Sequence, residues 1–177
     1  ARMTGLYRTP NDLSQVAGFD DYDASKLTEV RMTASHGLSL HMAWVLPAPR
    51  PAVWQAMTDP MELTKWWGPK GFTAPSADFE PRVGESFRIA MQPPGGEVFH
   101  LLGHFREVSA PSQLSYSFVW DPPDPDDRET VVTLSFHASG EGTEVQLTQG
   151  EFATQERLDL HKNGWRESFE KLDALLA

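Results

Sequence analysis

Six histidines, three tyrosines and no cysteine bound the side-chain chemistry open to this 177-residue chain. Without cysteine, disulfide scaffolds, thiolate zinc sites, iron–sulfur clusters and thiol nucleophiles are all excluded. His161 has the most suggestive spacing. It follows Leu158 by three residues and precedes Trp165 by four, so the three share one helix face. An imidazole there titrates near neutrality and can hydrogen-bond a ligand or act as a general base. The same placement also fits an interior histidine satisfied by its neighbours. Tyr116, inward by strand alternation, is the next polar group able to orient a ligand, or simply a buried hydroxyl with a partner. His100 and His104 are four apart, a zinc spacing on a helix. On a strand they stand about 13 Å apart at roughly 3.3 Å per residue, too far for one metal ion, so they read as surface histidines. No nucleophile elbow, HExxH, Walker or dinucleotide fingerprint occurs, and no metal or cofactor is expected. The acidic run Asp121–Glu129 lacks an EF-hand pattern and carries Pro122, Pro123 and Pro125, which reads as a solvated loop.

Aromatic residues are the main feature. Trp66, Trp67, Phe72, Phe99, Phe118, Trp120, Phe152 and Trp165, with Met91, Tyr116 and His161, are the candidate ligand-binding residues. Such rings fill cores, since each buries about 150–250 Å². They also make the walls of pockets for flat or apolar molecules. Fifteen basic against 25 acidic residues leave a net charge of −10, which removes the attraction to phosphate backbones and anionic lipid, so neither nucleic acid nor membrane is an expected partner. No apolar run reaches the roughly 18–20 residues of a membrane span, and the first residues lack the apolar stretch of a signal peptide. A cytoplasmic protein is the expectation.

The elements that position these residues follow from periodicity. Residues 1–35 carry scattered charges without a period and read as an extension, with a short helix around Asn11–Val16 after Pro10. From Leu38 to Leu46 apolar residues alternate as in a half-buried strand. Pro51 suits a first helical turn, and Asp59-Pro60 divides the next segment into two short helices. Five further strands centre on Phe87–Met91, Phe99–Phe105, Leu114–Trp120, Val132–Phe136 and Val145–Leu147. The alternation puts Phe118 inward and Ser117 on the solvent side. About six antiparallel strands result, with the first closing one edge. A long amphipathic helix from about Thr154 to Leu176 follows, its stripe Leu158, His161, Trp165, Phe169, Leu172 and Leu176. One helix against one curved sheet defines a two-layer α+β domain over residues 36–177.

Several motifs in this order carry a resemblance. They are Pro49 to Pro60, then Lys65-Trp66-Trp67-Gly68-Pro69-Lys70-Gly71-Phe72, Arg82-Val83-Gly84, Gly103 to Val108, Gly142-Thr143-Glu144-Val145 and His161-Lys162-Asn163-Gly164-Trp165. Together they resemble the START-like (SRPBCC) superfamily, in its bacterial branch of activator of Hsp90 ATPase homologue 1-like (AHSA1-like) proteins. Glu85 departs from the pattern, standing where relatives often carry a second glycine. The resemblance implies a helix-grip (Bet v 1/START-like) fold, a bent sheet wrapped round the C-terminal helix, with a cavity that in many relatives holds an apolar ligand. Binding of a small apolar, aromatic or lipid-like molecule is therefore the expected function. Two other classes stay open. One is a helix-grip enzyme of cyclase, aromatase or hydrolase type, with His161 as base assisted by Tyr116. The other is a co-chaperone module for an Hsp90-like partner, against which the 35-residue extension is too short to supply the additional domain of the eukaryotic activator. A homodimer also stays open, although no heptad seam marks an interface.

Overall fold

The computed structural model describes residues 37–177; the extension expected over residues 1–35 and its short helix lie outside the described residues. The chain runs β1 (Leu38–Leu46), α1 (Arg50–Thr58), α2 (Pro60–Leu63), β2 (Thr73–Asp78), β3 (Ser86–Gln92), β4 (Phe99–Ser109), β5 (Gln113–Asp121), β6 (Thr130–Ser139), β7 (Gly142–Phe152) and α3 (Gln155–Leu176). The seven strands form one antiparallel sheet in the order β1-β7-β6-β5-β4-β3-β2. With α3 laid on its inner face, this is a helix-grip α+β fold. Six of the seven strands, both short helices and the long helix coincide with the periodicity.

Local chemistry sets the boundaries. Pro51 occupies the first turn of α1, where its missing N–H leaves no bond unmade. Asp59, held extended by the proline after it, ends α1 and caps α2, its carboxylate accepting from Met61 N (2.9 Å) and Glu62 N (3.4 Å). Thr154 starts α3, its hydroxyl oxygen accepting from Arg157 N at 3.1 Å. The strand absent from the periodicity is β2. Its sequence Thr-Ala-Pro-Ser-Ala-Asp has no apolar alternation, and Pro75 removes a ladder donor. Proline is tolerated because β2 is the outer edge of the sheet.

Registers across the sheet put one row of residues on the inner face: Leu40 beside Gln149, Val132 beside Tyr116, Phe105 beside Tyr116, and Phe87 beside Gly103. Phe79, Phe87, Phe105 and Tyr116 make an edge-to-face cluster with centroids 4.9–6.2 Å apart. Gly103 lies under it. A Cβ there would overlap the Ser117 carbonyl oxygen and the Phe87 ring, so the close approach of ring to strand requires glycine.

Two expectations are corrected. Ser117 is not on an open face: it is 5% exposed, and its hydroxyl oxygen accepts from His104 N at 2.9 Å. Both faces of central β5 are covered, since Ser115 on the same side is also buried and bonds the Val132 carbonyl. The Asp121–Glu129 connection is likewise not wholly solvated, because the Asp127 side chain is 8% exposed and paired with Arg157. Gly103→Ala is expected to cost about 1–3 kcal/mol or more through overpacking. Ser117→Asp, which buries an unpaired charge, is expected to cost several kcal/mol. Urea denaturation midpoints check both, and a wild-type midpoint for Ser117→Asp would reverse the correction.

Candidate functional site

The C-terminal half of α3 closes tightly on the sheet. Trp44 of β1 stacks on Phe169 at 5.9 Å, and its indole N–H donates to Asp173 at 3.0 Å. Trp165 donates to the buried Gln149 carbonyl oxygen at 2.7 Å, and Gln149 donates in turn to Thr130 at 2.9 Å. Beyond Trp165, toward the start of α3, the helix and the β3–β5 side of the sheet part. A cavity of about 500 Å³ opens between them.

Its walls are mostly aromatic. From the sheet come Met91, Phe99, Phe118 and Trp120; from the helix, His161 and Trp165; from the segment after α2, Trp67 and Phe72. The rings meet edge to face or tilted: Phe72 on Phe99 (6.3 Å), Phe99 on Trp120 (5.4 Å), Phe118 on Trp120 (5.0 Å) and Trp67 on Trp165 (5.3 Å). Eight of the eleven residues singled out from the sequence are thus brought together. The other three are not in this wall. Trp66 is fully buried with its indole N–H on the Ala56 carbonyl at 2.8 Å, and Tyr116 sits in the Phe79 cluster, deeper along the strand. Phe152 lies behind the wall, its ring 4.8 Å from that of His161, beside a small adjoining cleft.

Sequence reasoning missed the rim. Asp124, Asp127, Arg157 and Asn163 supply its polar part, and Pro69, Leu160, Gly164 and Ser168 much of the rest. Arg157, Gly164 and Ser168 extend the stripe of His161 by helical spacing and were legible by that rule; Leu160, next to His161 in the chain, and the loop residues carried no comparable signal. Arg157 joins helix to loop, with guanidinium nitrogens 3.1 Å from Asp124 and 3.6 Å from Asp127. Asp127 also accepts from Asp124 N at 2.7 Å. The opposite lip, residues 68–72, is tied to α3. Lys171 donates to the Pro69 and Phe72 carbonyls (3.4 and 3.3 Å), and Lys70 N donates to Glu167 at 3.2 Å. Partial burial lowers the Lys171 pKa, against the pull of Glu167.

His161 has both ring nitrogens engaged. Nε2 lies 2.8 Å from the Trp120 indole nitrogen and Nδ1 2.6 Å from the Arg157 carbonyl oxygen. An indole N–H can only donate and a carbonyl can only accept, so the imidazole is neutral with its proton on Nδ1. The lone pair that a general base needs is occupied by Trp120. His100, at the sheet surface, is 3.4 Å from an Arg88 nitrogen. Among the described residues no group of three or more His, Asp or Glu is placed to hold a metal ion, and no helix is long and apolar enough to cross a membrane.

Comparison with known proteins fits this geometry. The profile of the activator of Hsp90 ATPase homolog 1-like proteins matches residues 47–177, and the chain belongs to that family. Protein CV1439 from Chromobacterium violaceum superposes with a TM-score of 0.71 at 22% identity, covering 78% of this chain and 96% of that one. The AHSA1 (SPO3351) protein from Silicibacter pomeroyi gives 0.69 at 26% identity, covering 78% and 96%. Protein MLL2253 from Mesorhizobium loti gives 0.65 at 28% identity with the same coverage. No curated protein matches the sequence.

Burial lowers the His161 pKa below its ordinary value; the Arg157 charge pushes the same way, while the Arg157 carbonyl and Asp127 oppose it. The unfolded chain therefore takes up this proton at about pH 6.5, where the folded protein still resists it. Stability from this group is complete above that pH and is lost as the pH falls below it. A second proton on Nε2 would also face the Trp120 N–H. Urea midpoints are expected to fall between pH 7.5 and 5.5 in the wild type and to change less in His161→Gln; equal slopes would refute the assignment.

Proposed function

We propose that the protein binds a small, largely apolar aromatic molecule in the cavity between α3 and the sheet. The observation that carries this reading is the cavity itself: about 500 Å³, walled by rings, with its charged groups confined to the rim. That volume lies within the range of small-molecule sites, and edge-to-face walls present ring faces and edges to a flat guest. The polar side-chain atoms of four wall residues are already paired within the protein. Trp120 and His161 satisfy each other, Trp165 bonds Gln149, and Ser168 donates back to the Gly164 carbonyl at 2.9 Å. A guest thus meets a wall that asks for little hydrogen bonding, which favours apolar over polar molecules. Catalysis with His161 as base is not favoured, because its free lone pair is taken and Tyr116 is remote from the cavity wall. The ATPase activation in the family's name belongs to the namesake, and nothing in this cavity depends on it.

N-phenyl-1-naphthylamine, a neutral fluorescent aromatic, is expected to bind with enhanced emission and to quench intrinsic tryptophan fluorescence, since Trp67, Trp120 and Trp165 line the site. Trp120→Ala is expected to weaken binding at least about tenfold, roughly 1.4 kcal/mol of lost ring contact. Trp54→Ala, whose ring packs on Phe136 away from the cavity, should leave it unchanged. Absence of saturable binding to the wild type, together with no co-purifying molecule by native mass spectrometry, would remove the proposal.

A further inference from the structure

Gly164 is the tenth residue of the 22-residue helix α3 and lies in the cavity lining. Glycine inside a helix is destabilising relative to alanine, so its place needs a reason. The usual reasons fail here. Its φ is not in the left-handed region, so conformation does not require glycine. It is not at a helix end, so it is not a cap. No backbone presses on it: the nearest atom to an added Cβ is Pro69 Cγ at 3.6 Å, an ordinary contact. Apart from that contact with the lip, an added Cβ meets nothing within 4 Å.

The surroundings sharpen this. Leu160 and Ser168, one turn to either side, also line the cavity, and Leu160 turns largely to solvent at the rim. Ser168 directs its hydroxyl to the Gly164 carbonyl rather than into the space. Along this row the helix presents bare backbone beside Trp165, in a lining that also includes the rings of Phe72, Phe99 and Phe118. Glycine is the residue that allows a ligand to approach a backbone this closely.

Resting on the binding function proposed above, we infer that Gly164 is the specificity-determining residue of the cavity: it sets the depth between helix and sheet and admits aromatic ligands of three or more rings, larger than a fused bicycle, which lie against the helix backbone at this position. A side chain there shortens the cavity and restricts it to smaller guests.

The test compares wild type, Gly164→Ala and Gly164→Leu with two probes, N-phenyl-1-naphthylamine by fluorescence titration and indole by calorimetry. Gly164→Ala should weaken the naphthyl probe about tenfold and Gly164→Leu about a hundredfold or more, while indole affinity stays within about threefold. Both variants should melt at or above the wild-type temperature, Gly164→Ala by about 2–4 °C, because helix propensity improves and the added atoms enter open space. Unchanged affinity of Gly164→Leu for the naphthyl probe would overturn the inference while leaving the binding function intact. A Tm of Gly164→Leu below wild type would overturn it as well, because the space would then not be open. Failure of the wild type to bind either probe would instead overturn the binding function on which the inference rests.

Discussion

One helix has to cover one curved sheet, and it is too narrow to do so. Seven strands at about 4.8 Å spacing make a surface roughly 29 Å wide, whereas a helix with its side chains is about 10–12 Å across. The remainder of the inner face must be covered by something else or left open. At the β6 side α1 contributes, with Trp54 packed on Phe136. At the β2 side the sheet bends over itself and fills its own concavity with the Phe79, Phe87, Phe105 and Tyr116 cluster. Between that cluster and the helix, among the described residues, the lip of residues 68–72 and the loop after β5 arch over the gap. The cavity is the uncovered remainder of this geometry, and its aromatic walls are core residues left with one side free.

The same geometry explains what was legible in the sequence. Alternation with period two identifies which face of a strand a residue takes, and helical spacing identifies the inner stripe of α3; both depend only on nearest neighbours in the chain. They do not say how far along the face a residue stands. Tyr116 and Phe118 share a face and differ by about 6.6 Å in position, yet one is sealed under Phe79 and the other faces the cavity. Trp66 and Trp67 are adjacent, but the first turns its indole to the Ala56 carbonyl and the second turns to Trp165. Depth is a tertiary property, settled by what the bend of the sheet brings together. For the same reason β2 escaped notice: an edge strand with Pro75 at its centre is stabilised by its partner β3 and leaves little apolar signal of its own.

The polar groups of the site form a chain from wall to rim. Trp120 donates to His161, His161 to the Arg157 carbonyl, and the Arg157 guanidinium meets Asp124 and Asp127. The two rim ion pairs differ: Asp124 is solvated and its pair with Arg157 contributes roughly 0–1 kcal/mol, whereas the Asp127 side chain is buried. Their effect is positional. They hold the proline-rich loop against the start of α3, while the Trp120 ring is held by its own bond to His161. A wall fixed in advance spares a guest the entropy of ordering it.

Such a wall would be costly around nothing. Empty cavities left by truncated side chains cost about 24 cal/mol per Å³, which for 500 Å³ extrapolates to about 12 kcal/mol. That equals or exceeds the whole stability of many domains of this size. A dry, sealed void is therefore not tenable here, and the space has to be filled. Leu160 at 57% exposure and the Asp124 side chain at 65% put the rim in contact with solvent, so water can enter. Water against Phe72, Phe99, Phe118, Trp120 and Trp165 finds few hydrogen-bond partners, because the polar atoms of those walls are already paired. Displacing it returns the water to bulk and replaces poor contacts with ring-to-ring ones. A guest of matching shape and low polarity would recover the free energy that the folding chain forgoes by leaving the sheet half covered, so the proposed binding rests on a gap that the helix leaves among the described residues.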